Sequence, residues 1–113
     1  MTEIEALALS ALIEAPIAYL VARIARWPSR GNLHVGAAAA AATAITHPQF
    51  WAAALWTYSR FPYWPSILVL EAIVVLVEGT LIAWMAALRV DRALLVSLVA
   101  NSGSFLFGLW LEG

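Results

Sequence analysis

The chain has 113 residues, of which 64% are hydrophobic and 12% charged, with a mean hydropathy of +0.86. Soluble domains carry about twice this charged fraction, so the composition predicts one integral membrane domain over residues 1–113. The absence of cysteine excludes disulfides and thiolate chemistry, and a net charge of −1 leaves no basic surface for nucleic acid.

Four segments are long and apolar enough for transmembrane helices, which need about 20 residues each. Short turns separate them, which predicts an all-α, polytopic up-and-down bundle of antiparallel neighbours. The acidic N-terminus is unlike a cleaved signal, so the first helix is expected to be retained. The predicted helices cover residues 4–26, 33–55, 66–88 and 92–111.

The arginines are distributed unevenly between the two ends of the predicted bundle. Arg60 alone lies at the end that holds the chain termini. The positive-inside rule therefore places the opposite end in the cytoplasm and both termini outside, as in a multi-pass protein of the bacterial inner membrane. The turns at that opposite end carry Arg23, Arg26, Arg30, Arg89 and Arg92.

Helices 1 and 2 resemble helices 3 and 4 in where their polar residues fall. Glu14-Ala-Pro is similar to Glu78-Gly-Thr, and residues 43–46 are similar to residues 101–104 on the helix that follows. The similarity indicates a tandem two-helix repeat. Such repeats recur in transporters and also arise from simple hairpin duplication.

Each predicted helix carries polar or small residues at spacings of three, four or seven, which places them on one face. The four faces are expected to meet in a polar interior with lipid outside. They comprise Ser10 and Glu14, then Gly36, Ala40, Thr43 and His47, then Glu71 and Glu78, and finally Ser97, Asn101, Ser104 and Gly108.

Glu14 and Glu78 are predicted near mid-membrane, and no Arg or Lys accompanies them. A buried carboxyl group requires a cation, a proton or hydrogen-bond donors. The interior is therefore predicted to bind a proton or small cation through these two acids, with Asn101, Ser104 and Thr43 as donors. In the equally weighted alternative, the acids are neutral and serve as hydrogen-bonding contacts between helices.

Glu71 and His47 form a predicted polar pair in the outer half of the membrane. Arg60 is expected to reach Glu71, which favours a structural ion pair there. His47 is either a proton shuttle with Glu71 or a hydrogen-bonded interface histidine. The sequence lacks Glu-x-x-His pairs, cofactor motifs and a nucleophile–base pair, so no cofactor or catalytic residue is predicted, any metal is unknown, and an enzyme is disfavoured.

The pattern formed by Glu14-Ala-Pro, Thr46-His-Pro-x-x-Trp, Glu71-x6-Glu and Asn101-x-x-Ser resembles small four-helix bacterial inner-membrane proteins of unassigned function. The chain also resembles the small multidrug resistance transporters in its length, its number of helices, Glu14 and the turn of residues 27–29. That resemblance implies that Glu14 carries a proton and a cationic substrate in a dimer. The chain departs from the family in its two helix-3 glutamates and lacks its glycine-rich helix 3.

Two functions remain open on these grounds. In the first, a polar interior binds or translocates a proton or small cation. In the second, the chain is a non-catalytic subunit or assembly factor of a larger membrane complex, and the polar residues fix helix register. Under either function, the small size of the chain predicts a homo-oligomer or a partner subunit within the lipid bilayer.

Overall fold

The computed structural model describes residues 2–112, with the backbone alone for residue 112. The chain is all-α and folds into the four helices that the sequence predicts, with bounds shifted by a few residues. The largest shifts fall on either side of the aromatic connection. The helices are α1 (Glu3–Ala25), α2 (Asn32–Tyr58), α3 (Tyr63–Ala86) and α4 (Val90–Glu112).

The four helices surround one interior. Each packs antiparallel against the next along the chain, and α4 packs against α1 to close the ring. The connections at residues 26–31, 59–62 and 87–89 are too short for any other arrangement of neighbours. The bundle measures 43 × 23 × 19 Å, so it is elongated along its helices.

The two ends of the bundle differ. At the arginine end, formed by residues 26–31 and 87–89, α1 and α3 both terminate in a left-handed residue, Arg26 and Ala87. The Arg30 backbone N–H donates to the Ala86 carbonyl oxygen at 2.8 Å and so satisfies a free carbonyl at the end of α3. This bond ties the two turns together. The other end holds both chain termini and is called the terminal end.

Small residues form the interior and large apolar residues form the surface. Ala18, Ala42 and Ala86 are fully buried, whereas Leu12 and Trp84 are 72% and 77% exposed. Water-soluble proteins show the opposite arrangement. Close packing of small residues, with bulky apolar side chains outside, is typical of helices that associate in lipid.

Three of the helices are long and apolar enough to cross a membrane: α1, α3 and the Val90–Leu111 part of α4. Helix α2 is the longest, at 27 residues, but does not meet the same criterion. Its alanines are only weakly hydrophobic, and His47, Pro48 and Gln49 lower its hydropathy further.

Two glycines bring helix pairs close together beside the predicted acids. A Cβ on Gly36 would lie 3.1 Å from the Ala15 carbonyl oxygen, and one on Gly79 would lie 3.1 Å from the Leu94 Cα atom. Ala15 follows Glu14, and Gly79 follows Glu78. The α1–α2 and α3–α4 helix pairs therefore approach each other closely next to the two glutamates.

Candidate functional site

Glu14 of α1 and Glu78 of α3 extend into the bundle interior. Each side chain is only 3% exposed, and the two carboxyl groups lie within hydrogen-bonding reach of each other. Helices α1 and α3 are diagonal neighbours, so the two acids meet across the interior. The structure therefore brings together the two acids that the sequence analysis paired.

Glu14 has its donor on α2. The Thr43 hydroxyl donates to Glu14 Oε1 at 3.2 Å. The Ser104 hydroxyl on α4 lies near Glu14 but donates to the Asn101 carbonyl oxygen at 3.1 Å. Thr43 is 2% exposed, so its hydrogen bond to Glu14 is shielded from solvent. Thr43 belongs to the predicted set of donors, whereas the predicted donor Ser104 is hydrogen-bonded to a backbone carbonyl oxygen instead.

Glu78 has two hydrogen-bonding partners on the neighbouring helices. Thr46 Oγ1 is hydrogen-bonded to Glu78 Oε2 at 2.6 Å, and Asn101 Nδ2 donates to Glu78 Oε1 at 3.1 Å. Asn101 Nδ2 also donates to the Ser97 carbonyl oxygen at 2.9 Å. Because that carbonyl can only accept, it fixes the orientation of the Asn101 amide and directs an N–H group at Glu78.

Thr46 was not among the site residues expected from the sequence, although it makes the shortest of these contacts. The spacing of the threonines could have indicated this role. Thr46 follows Thr43 by three residues, so both threonines share one face of α2. In the structure Thr43 is hydrogen-bonded to Glu14 and Thr46 to Glu78.

His47 is buried, at 8% exposed, and its ring stacks on Trp51 with the centroids 5.9 Å apart. Its Nδ1 atom is buried and has no hydrogen-bond partner among residues 2–112. The predicted pair with Glu71 is not joined by a hydrogen bond, although both side chains line the same cavity.

The expected ion pair between Glu71 and Arg60 is wrong. Helix α3 begins at Tyr63 rather than at residue 66, which places Glu71 more than two turns inside the helix. The Arg60 guanidinium instead lies 4.5 Å above the Trp56 ring and donates to the Trp56 carbonyl oxygen. Glu71 is half-buried, and no described side chain hydrogen-bonds to it.

An inner cavity of about 60 Å³ surrounds the two acids, which is room for a few water molecules. A second cavity of about 250 Å³, called the vestibule, opens at the terminal end between aromatic residues that include Trp51 and Tyr63. The two cavities share four lining residues, one from each helix: Ser10, Phe50, Glu71 and Ser104.

The bundle is closed between the inner cavity and the arginine end. Apolar side chains with at most 2% exposure fill this region: Ala18, Ala22, Val35, Ala39, Ala42, Ile82, Ala86, Ala93 and Val96. They are called the apolar plug. In this conformation the apolar plug therefore separates the acids from the arginine end, whereas the vestibule lies on their other side.

Among the side chains of residues 2–111, no group of three His, Asp or Glu residues is arranged to hold a metal ion. No protein family, curated protein or solved structure matches the chain. The functional argument therefore rests on the geometry of the site.

Proposed function

We propose that the chain is an integral protein of the bacterial inner membrane in which all four helices cross the bilayer. On α3, the exposed Trp64 and Trp84 are separated by about 30 Å, the thickness of the hydrocarbon core, and tryptophan favours both interfaces. The positive-inside rule then assigns the arginine end to the cytoplasm and the vestibule, with both termini, to the outside.

We also propose that the two hairpins are a tandem repeat. Positions that correspond in the two halves share their burial: Ala22 with Ala86 on the first helices, and Thr43 with Asn101 on the second. In each half the second helix also supplies a donor to the glutamate of the first. A pseudo-twofold axis along the membrane normal would relate them.

We propose that the protein binds and translocates protons at the Glu14–Glu78 pair. The observation that supports this is the contact between two buried carboxyl groups with no arginine beside them in the described chain. Two carboxylates in contact cannot both remain ionised without a cation, so the pair shares a proton or holds a positive ion.

The surrounding groups favour a proton over a metal cation. Sodium and potassium require several oxygen ligands, whereas Asn101 presents an N–H group and Thr43 presents a hydroxyl hydrogen to the acids. Such donors stabilise carboxyl oxygens and repel a metal cation. The small inner cavity has room for water, through which a proton can move.

The geometry at Thr46 supports a bound proton. Its hydroxyl lies 2.9 Å from the Ala42 carbonyl oxygen and 2.6 Å from Glu78 Oε2. A hydroxyl has a single hydrogen, and the carbonyl can only accept. Both contacts are satisfied when Thr46 donates to Ala42 and a protonated Glu78 donates to Thr46.

The alternative is a non-catalytic subunit or assembly factor, in which the same groups only connect helices. The observation that favours it is that both acids have donors on neighbouring helices, as interhelical hydrogen bonds require. A homo-oligomer or a partner subunit within the bilayer remains a prediction under both readings.

Substitution of Glu78→Gln separates the two functions. Glutamine keeps the shape and an acceptor for Asn101 but cannot carry the exchangeable proton, so proton flux into liposomes should fall by about 100-fold. Thermal stability in detergent should change little. The matched control is Thr80→Val, which removes a lipid-facing hydroxyl that bonds only the Leu76 carbonyl oxygen of its own helix.

Wild-type liposomes that take up protons no faster than empty ones would contradict translocation. Equal flux in the wild type and Glu78→Gln, with a lower unfolding temperature in the variant, would favour the structural alternative.

A further inference from the structure

We infer that protons reach the Glu14–Glu78 pair from the terminal end alone, through a ring of four side chains in which Glu71 is the proton-transferring group. The ring consists of Ser10, Phe50, Glu71 and Ser104, one residue from each helix. This inference rests on the proposed proton-binding function and adds the route and its direction.

The position of the ring is the first argument. Its four residues line both the vestibule and the inner cavity, so they form the boundary between the two. All four are half-buried, neither sealed off nor open to solvent. Three of the four carry groups that can form hydrogen bonds, and Phe50 narrows the passage. A proton moving inward from the vestibule must pass this ring.

The chemistry of Glu71 is the second argument. It is the one ring residue that can take up and release a proton, and it has no hydrogen-bond partner within the described chain. The titratable groups that face it are Glu14 from α1, His47 and Tyr58 from α2, and Tyr63 and Glu78 on its own helix. Helix α4 contributes only uncharged Asn101 and Ser104. No fixed positive charge opposes the arrival of a proton.

His47 supplies an independent observation. Its Nδ1 atom is buried without a partner within the described chain, and the side chain lines the inner cavity together with Glu71 and the acid pair. A buried ring nitrogen without a protein partner requires a water molecule or a donated proton. His47 therefore adds a polar ring with one unsatisfied nitrogen to the residues that line the cavity with Glu71 and Glu78.

The apolar plug makes the route one-sided. Val35 is fully buried within it, and no polar side chain lies among its members. Water and hydrated protons are excluded from such close-packed apolar regions. Transfer to the cytoplasmic side therefore requires a different conformation, whereas exchange with the outside does not.

Infrared spectroscopy after a pH jump tests the role of Glu71. A protonated-carboxyl band that disappears in Glu78→Gln reports the acid pair. Replacing Glu71→Gln should slow relaxation of this band by about 100-fold while its amplitude is retained, and Glu71→Asp should restore most of the rate. Relaxation as fast in Glu71→Gln as in the wild type would overturn the role of Glu71 and leave the proton pair intact. A wild type without the band would overturn both proposals.

Thiol accessibility tests the direction, since the chain contains no native cysteine. A membrane-impermeant thiol reagent should modify Ala6→Cys, in the vestibule, from the terminal side, and should leave Val35→Cys unmodified from either side. Arg89→Cys at the exposed arginine end confirms that the reagent is active on that side. Modification of Val35→Cys from the arginine side at a rate near that of Ala6→Cys would overturn one-sided access.

Discussion

Asn101 illustrates at the residue scale how the site is held together. Its amide nitrogen contacts Glu78, the Ser97 carbonyl oxygen and the Ser97 hydroxyl, and that hydroxyl in turn donates to the Val75 carbonyl oxygen at 3.0 Å. One buried side chain therefore connects α3 and α4 and orients a donor towards the acid. Buried networks of this kind are costly to leave half-satisfied.

Replacing Asn101→Leu should lower the free energy of unfolding by about 1–3 kcal/mol, because Glu78 loses a donor in a buried environment. The measurement is reversible unfolding in mixed micelles. Ser102→Ala, at the next position on the exposed face of α4, is the control and should be nearly neutral. The account of the network is wrong if Asn101→Leu is as stable as Ser102→Ala.

Asn101→Leu made in a Glu78→Leu background should lower the free energy of unfolding clearly less than Asn101→Leu does in the wild type. With the acid removed, Asn101 loses its most demanding acceptor, so the two effects should not add. Additive losses of stability would mean that Asn101 acts independently of Glu78.

The sequence predicted which polar residues face inward but not which of them touch. Spacing places Glu14, Thr43 and Asn101 on interior faces, and the structure has them there. Spacing does not specify the axial offset between helices, on which the pairing of Thr46 with Glu78 depends. The Arg60 prediction failed for a related reason, since the reach of a side chain depends on where the next helix begins.

At the scale of the elements, the start of α3 explains that failure. Pro62 and Pro65 indicate a loop that extends to residue 66, yet α3 begins at Tyr63 and includes Pro65 in its first turn. Proline is tolerated there because N–H groups in the first turn have no partner within the helix. The Ser66 hydroxyl then donates to the Pro62 carbonyl oxygen at 2.7 Å.

Replacing Gly79→Ala should destabilise the α3–α4 contact by about 1–3 kcal/mol, the usual cost of overpacking a tight interface. The new Cβ would lie 3.1 Å from the Leu94 Cα atom, which belongs to the backbone and cannot rotate away. Gly108→Ala is the matched control, since a Cβ there meets nothing within 4 Å. The measurement is the unfolding temperature of each variant in detergent. Equal unfolding temperatures of Gly79→Ala and Gly108→Ala would refute close approach at Gly79.

At the scale of the whole molecule, the bundle combines a closed arginine end with an open terminal end. The all-α fold follows from hydropathy and turn composition, which are properties of successive residues and can therefore be read from the sequence. The cavities cannot be predicted from these properties, because they arise where side chains from four helices fail to fill the space between them. The vestibule and the inner cavity around Glu14 and Glu78 are properties of the assembled bundle alone.

Proton sharing between Glu14 and Glu78 can be measured directly by carbon NMR of the protein in lipid bilayers with its glutamate Cδ atoms labelled. The account predicts a protonated-carboxyl resonance at neutral pH that is lost in Glu78→Gln and kept in Thr80→Val. A spectrum in which every glutamate of the wild type is ionised at neutral pH would contradict it.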